Sequence, residues 1–273
     1  MRRRAGPILV NTVLAAGAAV TLTPILWMIS ASTMPTGEAN TFPPSFFPSR
    51  PTLAHYGELF TRLNLGRSFA NSLIVATAVT ILSLAANGMA GYAFAKLRFA
   101  GRDRLFSVLL AAMLVPTPVA MLPLFLILRA MGLVNTYAGV VLPAVSTILG
   151  IFLIRQFALS IPDDLLDAAR LEGAGELAIF RRIVLPLLLP VMTTLGIVTF
   201  LSTWNDFLWP LVVLTGESRY TLPVSLAILS GEHAQDTELM MAGSVLTILP
   251  VLLLFLALQR YYIAGILIGG VKE

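Results

Sequence analysis

The sequence contains no cysteine and few charged side chains. Without cysteine the chain has no disulfide, no thiolate metal site and no cysteine nucleophile. Charged residues make up 12% of its 273 residues, whereas a soluble domain carries about 25%. Apolar residues make up 57%, and the mean hydropathy is +0.87. This composition indicates a polytopic membrane protein, and the length with its short polar connections predicts one membrane domain, residues 1–273.

Catalytic and metal-binding motifs are also missing. The two histidines, His55 and His233, are far apart in the sequence and fall in segments that we predict to be external loops, where we expect them to be solvated. The sequence has neither GxSxG nor the phosphate-binding GxxxxGK[ST] loop. We therefore predict no catalytic residue, no metal site and no ATP hydrolysis by this chain, which leaves transport, channel activity or scaffolding.

Six long apolar segments predict an all-α fold with six transmembrane helices, because about 20 apolar residues cross a bilayer. The predicted spans are 8–33, 71–95, 105–128, 137–157, 187–214 and 241–258. A cleaved signal peptide is the alternative for the first span, but a signal peptide's apolar region has only about 7–15 residues. The third span contains Pro116, Pro118 and Pro123, which predict a broken or bent helix.

The distribution of basic residues predicts the orientation. Thirteen of the eighteen Lys and Arg lie on the side of the termini: Arg2, Arg3, Arg4, Lys96, Arg98, Arg102, Arg104, Arg155, Arg170, Arg181, Arg182, Arg260 and Lys272. The positive-inside rule then predicts a multi-pass protein of the inner (plasma) membrane with both termini and segment 158–186 in the cytoplasm. Segments 34–69 and 215–240 would be external. The net charge of +4 therefore reflects topology and not nucleic-acid binding.

The external segment 34–69 is rich in proline and aromatic residues. TFPPSFFP (41–48) predicts an aromatic layer at the membrane interface. Residues 53–63 predict a short amphipathic helix on the bilayer surface. We expect an ordered cap here, with a plain connecting loop as the alternative.

Residues 161–190, called the module below, interrupt the apolar pattern with a helix–Gly–helix sequence. Pro162 suits the first turn of a helix, and Asp163 lies at the positive end of its dipole. Gly173 can end this helix in the left-handed conformation. A second helix is predicted from Glu176 onward.

DAARLEGAGELAIFRRIVLP (167–186) closely resembles the EAA loop of binding-protein-dependent ABC importer permeases. Asp167, Ala168, Ala169 and Gly173 occupy the motif positions. The chain departs from the pattern at Asp167, where Glu is typical, and at Glu172, where Asp is common. Further motifs are similar to the maltose-permease (MalG-like) carbohydrate-uptake subfamily over nearly the whole chain: NSL (71–73), GYAFAKLRFAGR (91–102), WNDFLWPL (204–211), YTLPV (220–224) and GGVKE (269–273).

The resemblance implies that segment 158–186 is a cytoplasmic coupling helix seated in a separate ATPase. The ATPase-coupling residues would be Asp167, Ala168, Ala169, Glu172 and Gly173. The chain would be the permease subunit of an ATP-driven sugar importer, in which closure of the ATPase dimer drives alternating access. For Asp167 the alternative is an intrahelical ion pair with Arg170, worth about 0.2–0.5 kcal/mol.

The implied partners are a second, MalF-like permease, an ATPase dimer and an extracytoplasmic sugar-binding protein. This chain would bind no cofactor, because ATP and Mg²⁺ would bind to the ATPase subunits. The alternatives are an ABC permease for another solute, such as glycerol-phosphate or an oligopeptide, and a channel or structural scaffold outside the ABC class.

Four polar or aromatic residues in the spans are candidates for a substrate pathway: Asn87, Trp204, Asn205 and Asp206. An acid near a span is often functional, and a Trp ring can stack on a sugar. For Asn87 we favour a hydrogen bond to a neighbouring helix, which nearby Gly91 would allow to approach closely. For Trp204 the alternative is a place in the interfacial aromatic belt.

The resemblance also implies that the external segment 215–240 reaches into the binding protein. The candidate contacts are Gly231, Glu232, His233, Gln235 and Asp236.

Overall fold

The computed structural model describes residues 5–61, 64–232 and 236–270; for residues 5–8, 232 and 258–270 it describes the backbone alone. The regular elements in these ranges are all helical, as predicted. The α-helices are α1 Ala5–Ala31, α2 Ala54–Thr61, α3 Leu65–Lys96, α4 Arg102–Ala112, α5 Thr117–Ala130, α6 Tyr137–Val141, α7 Ile148–Leu159, α8 Asp163–Leu171, α9 Glu176–Ile179, α10 Leu185–Trp204, α11 Leu208–Val213, α12 Leu222–Glu232 and α13 Thr237–Gly270. A π-helical turn, Phe180–Val184, joins α9 to α10.

Four of the described helical segments are long and apolar enough to cross a membrane: Leu9–Ala31, Leu65–Lys96, Glu176–Trp204 and Thr237–Ala257. Two pairs of shorter helices meet the same test together. The pair α4 and α5 is bent by 106°, and the pair Tyr137–Ala144 and α7 is bent by 40°. Counting each pair as one span gives six, which agrees with the predicted number.

The 106° bend confirms the predicted break in the third apolar segment. α4 ends at Ala112, and α5 begins after Pro116, whose backbone is extended (φ −62°, ψ 133°). Proline disfavours a helical conformation of the residue before it, which accounts for the helix ending ahead of Pro116. Pro123 lies inside α5.

The boundaries of the last two apolar segments differ from the prediction. α10 ends at Trp204, and α11 is separate, because Asn205 and Asp206 cap the helix ends on either side of the break. α13 begins at Thr237 and continues to Gly270. Between them, α12 forms a helix in the segment predicted to be a polar connection; the charged residues of that segment flank an apolar stretch whose Leu222, Val224 and Leu229 are buried.

The described chain forms two compact units. Within the described residues, one comprises 5–61, 64–67, 222–232 and 236–250, and the other 68–221 and 251–270. In the first unit, Ala31, Met34 and Ala39 form a buried cluster. The imidazole of His55 is buried against the carbonyl oxygen of Met34 at 2.8 Å, so the prediction of a solvated His55 was wrong.

The segment after α1 is ordered, as the predicted cap requires. Ser30 Oγ donates to the carbonyl oxygen of Phe46, and the indole of Trp27 donates to that of Ser45. These bonds hold the segment against the last turns of α1. The rings of Phe42 and Phe47 remain exposed, as expected for side chains of an interfacial layer.

In the second unit, α3, α7, α8 and α10 enclose the largest buried cluster. Its members are Tyr92, Ala95, Ile154, Ala158, Ile161, Leu166, Ala169, Ile179, Phe180, Val184, Leu188, Val191, Met192 and Leu195. A Cβ added to Gly91 would lie 2.6 Å from Cβ of Ile154. The predicted close packing at Gly91 is therefore confirmed, between α3 and α7.

Candidate functional site

The joint between the two helices of the module has the geometry predicted for Gly173. Its φ is +83°, in the left-handed region. The amide of Gly173 donates to the carbonyl oxygen of Arg170, and that of Ala174 to the carbonyl oxygen of Ala169, both at 3.0 Å. This pair of bonds is the Schellman motif, which satisfies carbonyls left free at a helix end. It sets the direction in which the chain enters α9.

α8 has one side in the core and one side open. Leu166 and Ala169 are buried in the large cluster of the second unit. Ala168 is exposed, and so are Leu165 and Leu171, the latter with 91% of its surface accessible. The buried side fixes α8 on its own unit, while the open side carries apolar surface beside carboxylates. Such a surface suits contact with another protein.

Four polar side chains connect α8 to α3 through the joint. Arg170 donates through one Nη to Asp167 Oδ1 and through Nε to Glu176 Oε1, each at 2.7 Å. Tyr92 Oη, on α3, donates to Glu176 Oε2 at 2.7 Å. The hydrogen bonds with Glu176 and Asp167 raise the pKa of the Arg170 guanidinium above its ordinary value, so the arginine stays charged.

A second polar contact joins the start of α8 to the end of α3. Lys96 Nζ donates to the carbonyl oxygen of Ile161 at 2.5 Å and to Asp163 Oδ1 at 2.7 Å. Only 5% of the Lys96 side chain is exposed, compared with 75% of the Asp163 side chain. The hydrogen bond from Lys96 lowers the pKa of the Asp163 carboxyl, with the positive charge of Lys96 as a further cause.

The five predicted coupling residues are adjacent, but they do not all face outward. Asp167, Ala168, Glu172 and Gly173 are exposed, whereas Ala169 packs into the core of the second unit. Asp167 is paired with Arg170, as the intrahelical alternative described. Docking of these residues on an ATPase stays a prediction.

Asn87 is fully buried at the contact between α3 and the start of α7. Its Nδ2 donates to Ser83 Oγ at 2.8 Å and to Thr147 Oγ1 at 3.3 Å, and its Oδ1 accepts from the amide of Thr147 at 3.1 Å. Thr147 in turn caps α7, because its hydroxyl accepts from the amide of Gly150. Asn87 thus bonds a neighbouring helix, as we favoured, and its contact with substrate stays a prediction.

The Trp204–Asp206 cluster is divided between core and surface. Trp204 is 0% exposed and lies edge-on to Phe69, with ring centroids 5.4 Å apart. Asn205 is exposed, and its Nδ2 donates to the carbonyl oxygen of Leu201 at 2.8 Å. Asp206 Oδ1 accepts from the amide of Trp209 at 3.4 Å, at the start of α11. The ring of Trp204 has no exposed surface in this structure; sugar contact by the three residues and the interfacial alternative both stay predictions.

The candidate contacts to a binding protein lie around the end of α12. Gly231 is exposed, and Asp236 Oδ1 accepts from the amide of Leu239 at the start of α13. His233, Gln235 and the side chain of Glu232 lie outside the described residues. Their role stays a prediction.

Two polar residues that the sequence did not single out organise the second unit. Tyr92 bonds Glu176, which is 84 positions away in the sequence. Asn71 accepts from Tyr137 Oη at 2.7 Å and donates to the carbonyl oxygens of Ser218 and Tyr220. Both lie in short motifs, GYAFAK and NSL, but their partners come from distant segments and no local pattern points to them.

Comparisons with known proteins agree with this architecture. Residues 83–267 match the family described as the binding-protein-dependent transport system inner membrane component. The arabinooligosaccharides transport system permease protein AraQ of Halalkalibacterium halodurans is 40% identical over 279 residues, covering 100% of both chains. The lactose transport system permease protein LacG of Rhizobium radiobacter is 31% identical, covering 100% of this chain and 98% of the relative.

A solved structure has the same fold. It is the crystal structure of a bacterial ABC transporter involved in the import of the acidic polysaccharide alginate, in which one chain matches with a TM-score of 0.83 and 25% identity. The match covers 95% of this chain and 97% of that chain. The chain therefore belongs to the family of inner-membrane components of binding-protein-dependent transport systems.

Proposed function

We propose that this chain is a permease subunit of an ATP-driven importer for oligosaccharides or disaccharides. The names of its relatives support this class of substrate, since they include permeases for arabinooligosaccharides, for lactose, and for melibiose, raffinose and stachyose. The related crystal structure, of a transporter that imports a polysaccharide, supports it as well. A sugar is favoured over glycerol-phosphate or an oligopeptide on these grounds.

The observation that carries the transport mechanism is the module itself. α8 is held to its own unit by buried Leu166 and Ala169 and by the Lys96 contact, while Asp167, Ala168 and Leu171 stay exposed. This exposed side is the surface that an ATPase subunit would bind. Ala168 has a small side chain that permits close approach, and Asp167 can exchange its bond with Arg170 for one with a basic residue of the ATPase.

Movement of α8 would reach the spans because the module is continuous with them. α9, the π turn and α10 form one uninterrupted helical run from Glu176 to Trp204. Closure of an ATPase dimer would then displace this run and the helices packed on it, as in rigid-body switching. The chain contributes half of the pathway, and a MalF-like second permease contributes the other half.

The remaining roles fall to the partners. ATP and Mg²⁺ bind to the ATPase dimer, and this chain supplies no catalytic group. An extracytoplasmic binding protein delivers the sugar to the side on which segments 34–69 and 215–240 lie. The termini and the module face the cytoplasm, as the thirteen basic residues on that side indicate.

Reconstitution tests the proposal. The chain is placed in vesicles with its second permease and ATPase, and the binding protein is added with labelled arabinooligosaccharide or lactose. We expect uptake that requires both ATP and the binding protein. Uptake of glycerol-phosphate or an oligopeptide in place of sugars would contradict the substrate class. Nucleotide-independent conduction would indicate a channel and refute the transport mechanism.

A further inference from the structure

Tyr92 belongs to a membrane-spanning helix, but its hydroxyl bonds a residue of the module. The ring is buried in the core of the second unit and lies 5.5 Å from the ring of Phe180, between centroids. Its hydroxyl donates to Glu176 Oε2 at 2.7 Å, a length typical of a strong hydrogen bond to a carboxylate. This bond connects α3 with the first turn of α9.

Glu176 uses its two oxygens for two different elements. Oε2 accepts from Tyr92, while Oε1 accepts from Nε of Arg170 at 2.7 Å. Arg170 lies on α8, on the other side of the Gly173 joint, and also bonds Asp167. Three hydrogen bonds of equal length therefore connect the exposed Asp167 to α3, and the path crosses the joint through side chains as well as through the backbone.

The order of these bonds has a mechanical consequence. If a basic residue of an ATPase binds Asp167, Arg170 loses its bond to that carboxylate but keeps its bond to Glu176. Glu176 in turn keeps its bond to Tyr92. The guanidinium of Arg170 and the carboxylate of Glu176 then connect α8 to α3 while the ATPase exerts force on α8. Without Glu176 and Tyr92, the start of α8 would still be tied to α3 through Lys96, but the angle at the joint would depend on the Schellman bonds and on the apolar contacts of Leu166 and Ala169.

We propose that Tyr92 and Glu176 are positioning residues that tie the coupling helix α8 to the span α3, so that displacement of α8 moves α3. The inference deepens the proposed function and rests on it. It does not require either residue to touch the ATPase or the substrate. Their effect passes through Arg170 to Asp167.

The structure also shows where the motion would go next. α3 is bonded to the start of α7 through Asn87 and Thr147, and it packs against α7 where Gly91 meets Ile154. A displacement of α3 would therefore carry α7 with it. Coupling through packed elements needs direct evidence of energetic linkage, which a double-mutant cycle provides.

The experiment uses the complete reconstituted complex and the variant Tyr92→Phe, which removes one oxygen and keeps the ring. We expect unchanged assembly, unchanged basal ATP hydrolysis and an unchanged apparent affinity for the binding protein. The amount of sugar imported per ATP hydrolysed should fall about tenfold, the effect of losing one hydrogen bond to a charged group. A wild-type ratio in this variant would overturn the proposal.

Tyr137→Phe is the matched control. It removes a hydroxyl that donates a 2.7 Å hydrogen bond to Asn71 in the same unit, away from the module. The ratio should stay at the wild-type value in this variant. An equal fall in both variants would assign the effect to general loss of packing and would overturn the proposal.

Glu176→Gln provides a second, independent variant, since the side chain of Glu176 is exposed at the surface and its replacement should not prevent folding. A glutamine can accept from Arg170 with its oxygen, but it then presents its amide nitrogen, a donor, to Tyr92 Oη, so the bond to Tyr92 reverses direction and both bonds lose the negative charge of the carboxylate. We expect the amount of sugar imported per ATP hydrolysed to fall in Glu176→Gln. In the double variant with Tyr92→Phe, the loss should be smaller than the sum of the two single losses, expressed as free energies. Additive losses, or no loss in Glu176→Gln, would overturn the link. A wild-type complex that shows no ATP-driven uptake would instead refute the proposed function, and the inference with it.

Discussion

Gly173→Val changes one backbone conformation in the coupling helix and little else. Gly173 has φ +83°, where an L-residue costs about 1–2 kcal/mol relative to glycine, and a β-branched residue is among the least tolerant. No heavy atom lies within 4 Å of a Cβ added at this position. The valine would therefore strain the backbone without a steric clash.

The magnitude is large enough to affect coupling and too small to unfold the protein. A change of about 1–2 kcal/mol alters a conformational equilibrium by about 5- to 30-fold, whereas a domain is stable by about 5–15 kcal/mol. The two Schellman bonds from Gly173 and Ala174 would be weakened, and the direction of α9 relative to α8 would change. We expect the complex to assemble and to bind its external partner, but to lose about 5- to 30-fold in sugar uptake and in substrate-stimulated ATP hydrolysis.

The assay measures assembly, ATPase stimulation and uptake in the same reconstituted preparation. Gly175→Thr is the control: threonine is β-branched and close to valine in size, Gly175 has an extended backbone (φ −72°, ψ 156°), and open space surrounds its added Cβ. Threonine is also about as good as glycine at a helix N-cap. Gly173→Asn should retain most of the uptake, because asparagine tolerates the left-handed region.

Full uptake by Gly173→Val would remove the joint from the mechanism. Loss of expression in Gly173→Val, with normal expression of Gly175→Thr, would make Gly173 a folding residue instead. Equal defects in both variants would show that the added side chain, and not the left-handed backbone, is responsible.

Three further predictions concern the remaining parts of the chain. A single cysteine introduced near Gly101, at the exposed Ala100, in this cysteine-free chain should react with an impermeant reagent only after the membrane is opened; labelling in intact cells would contradict the predicted orientation. Deleting residues 230–237 should abolish uptake and leave basal ATP hydrolysis, and normal binding-protein-stimulated transport after the deletion would contradict a role in contact with that protein. Asp163→Asn should lower the melting temperature of the complex at neutral pH, and this difference should shrink as the pH falls below about 4. The pKa of Asp163 is lowered in the folded state, so its bond with Lys96 stabilises fully above the unfolded pKa and is lost as the pH falls through the folded value. A difference that stays the same from neutral to acid pH would show that the carboxylate charge does not stabilise this contact.

The helices could be predicted wherever their determinants are neighbours in the chain. Long apolar runs required membrane helices, and Pro116 required a break in the third of them. The helical pattern that precedes Gly173 predicted that a helix ends there. Because glycine has no side chain, the left-handed conformation was expected at this position. The predicted helix boundaries were wrong at the end of α10, where two polar residues interrupt an apolar stretch. Helix α12 was not predicted, because charged residues flank its apolar stretch.

The burial and the contacts of individual side chains could not be predicted from their neighbours in the sequence. Trp204 was compatible with a sugar platform or an interfacial belt, but the ring lies between α3 and α10 against Phe69. His55 was expected to be solvated and is buried on the carbonyl oxygen of Met34. Ala169 matches a motif position, but its side chain faces the core of its own unit.

The sequence by itself determined the class of protein, the approximate spans, the module and its glycine joint, because hydropathy, proline and backbone conformation act over a few neighbouring residues. Only the tertiary structure decided that Tyr92 bonds Glu176, that Arg170 serves both sides of the joint, and that Asn87 holds Thr147. The first and last of these pairs join helices 84 and 60 positions apart in the sequence, and Arg170 connects two neighbouring helices across the joint. A buried hydrogen-bonding group must find a partner, but which partner it finds depends on how the helices pack.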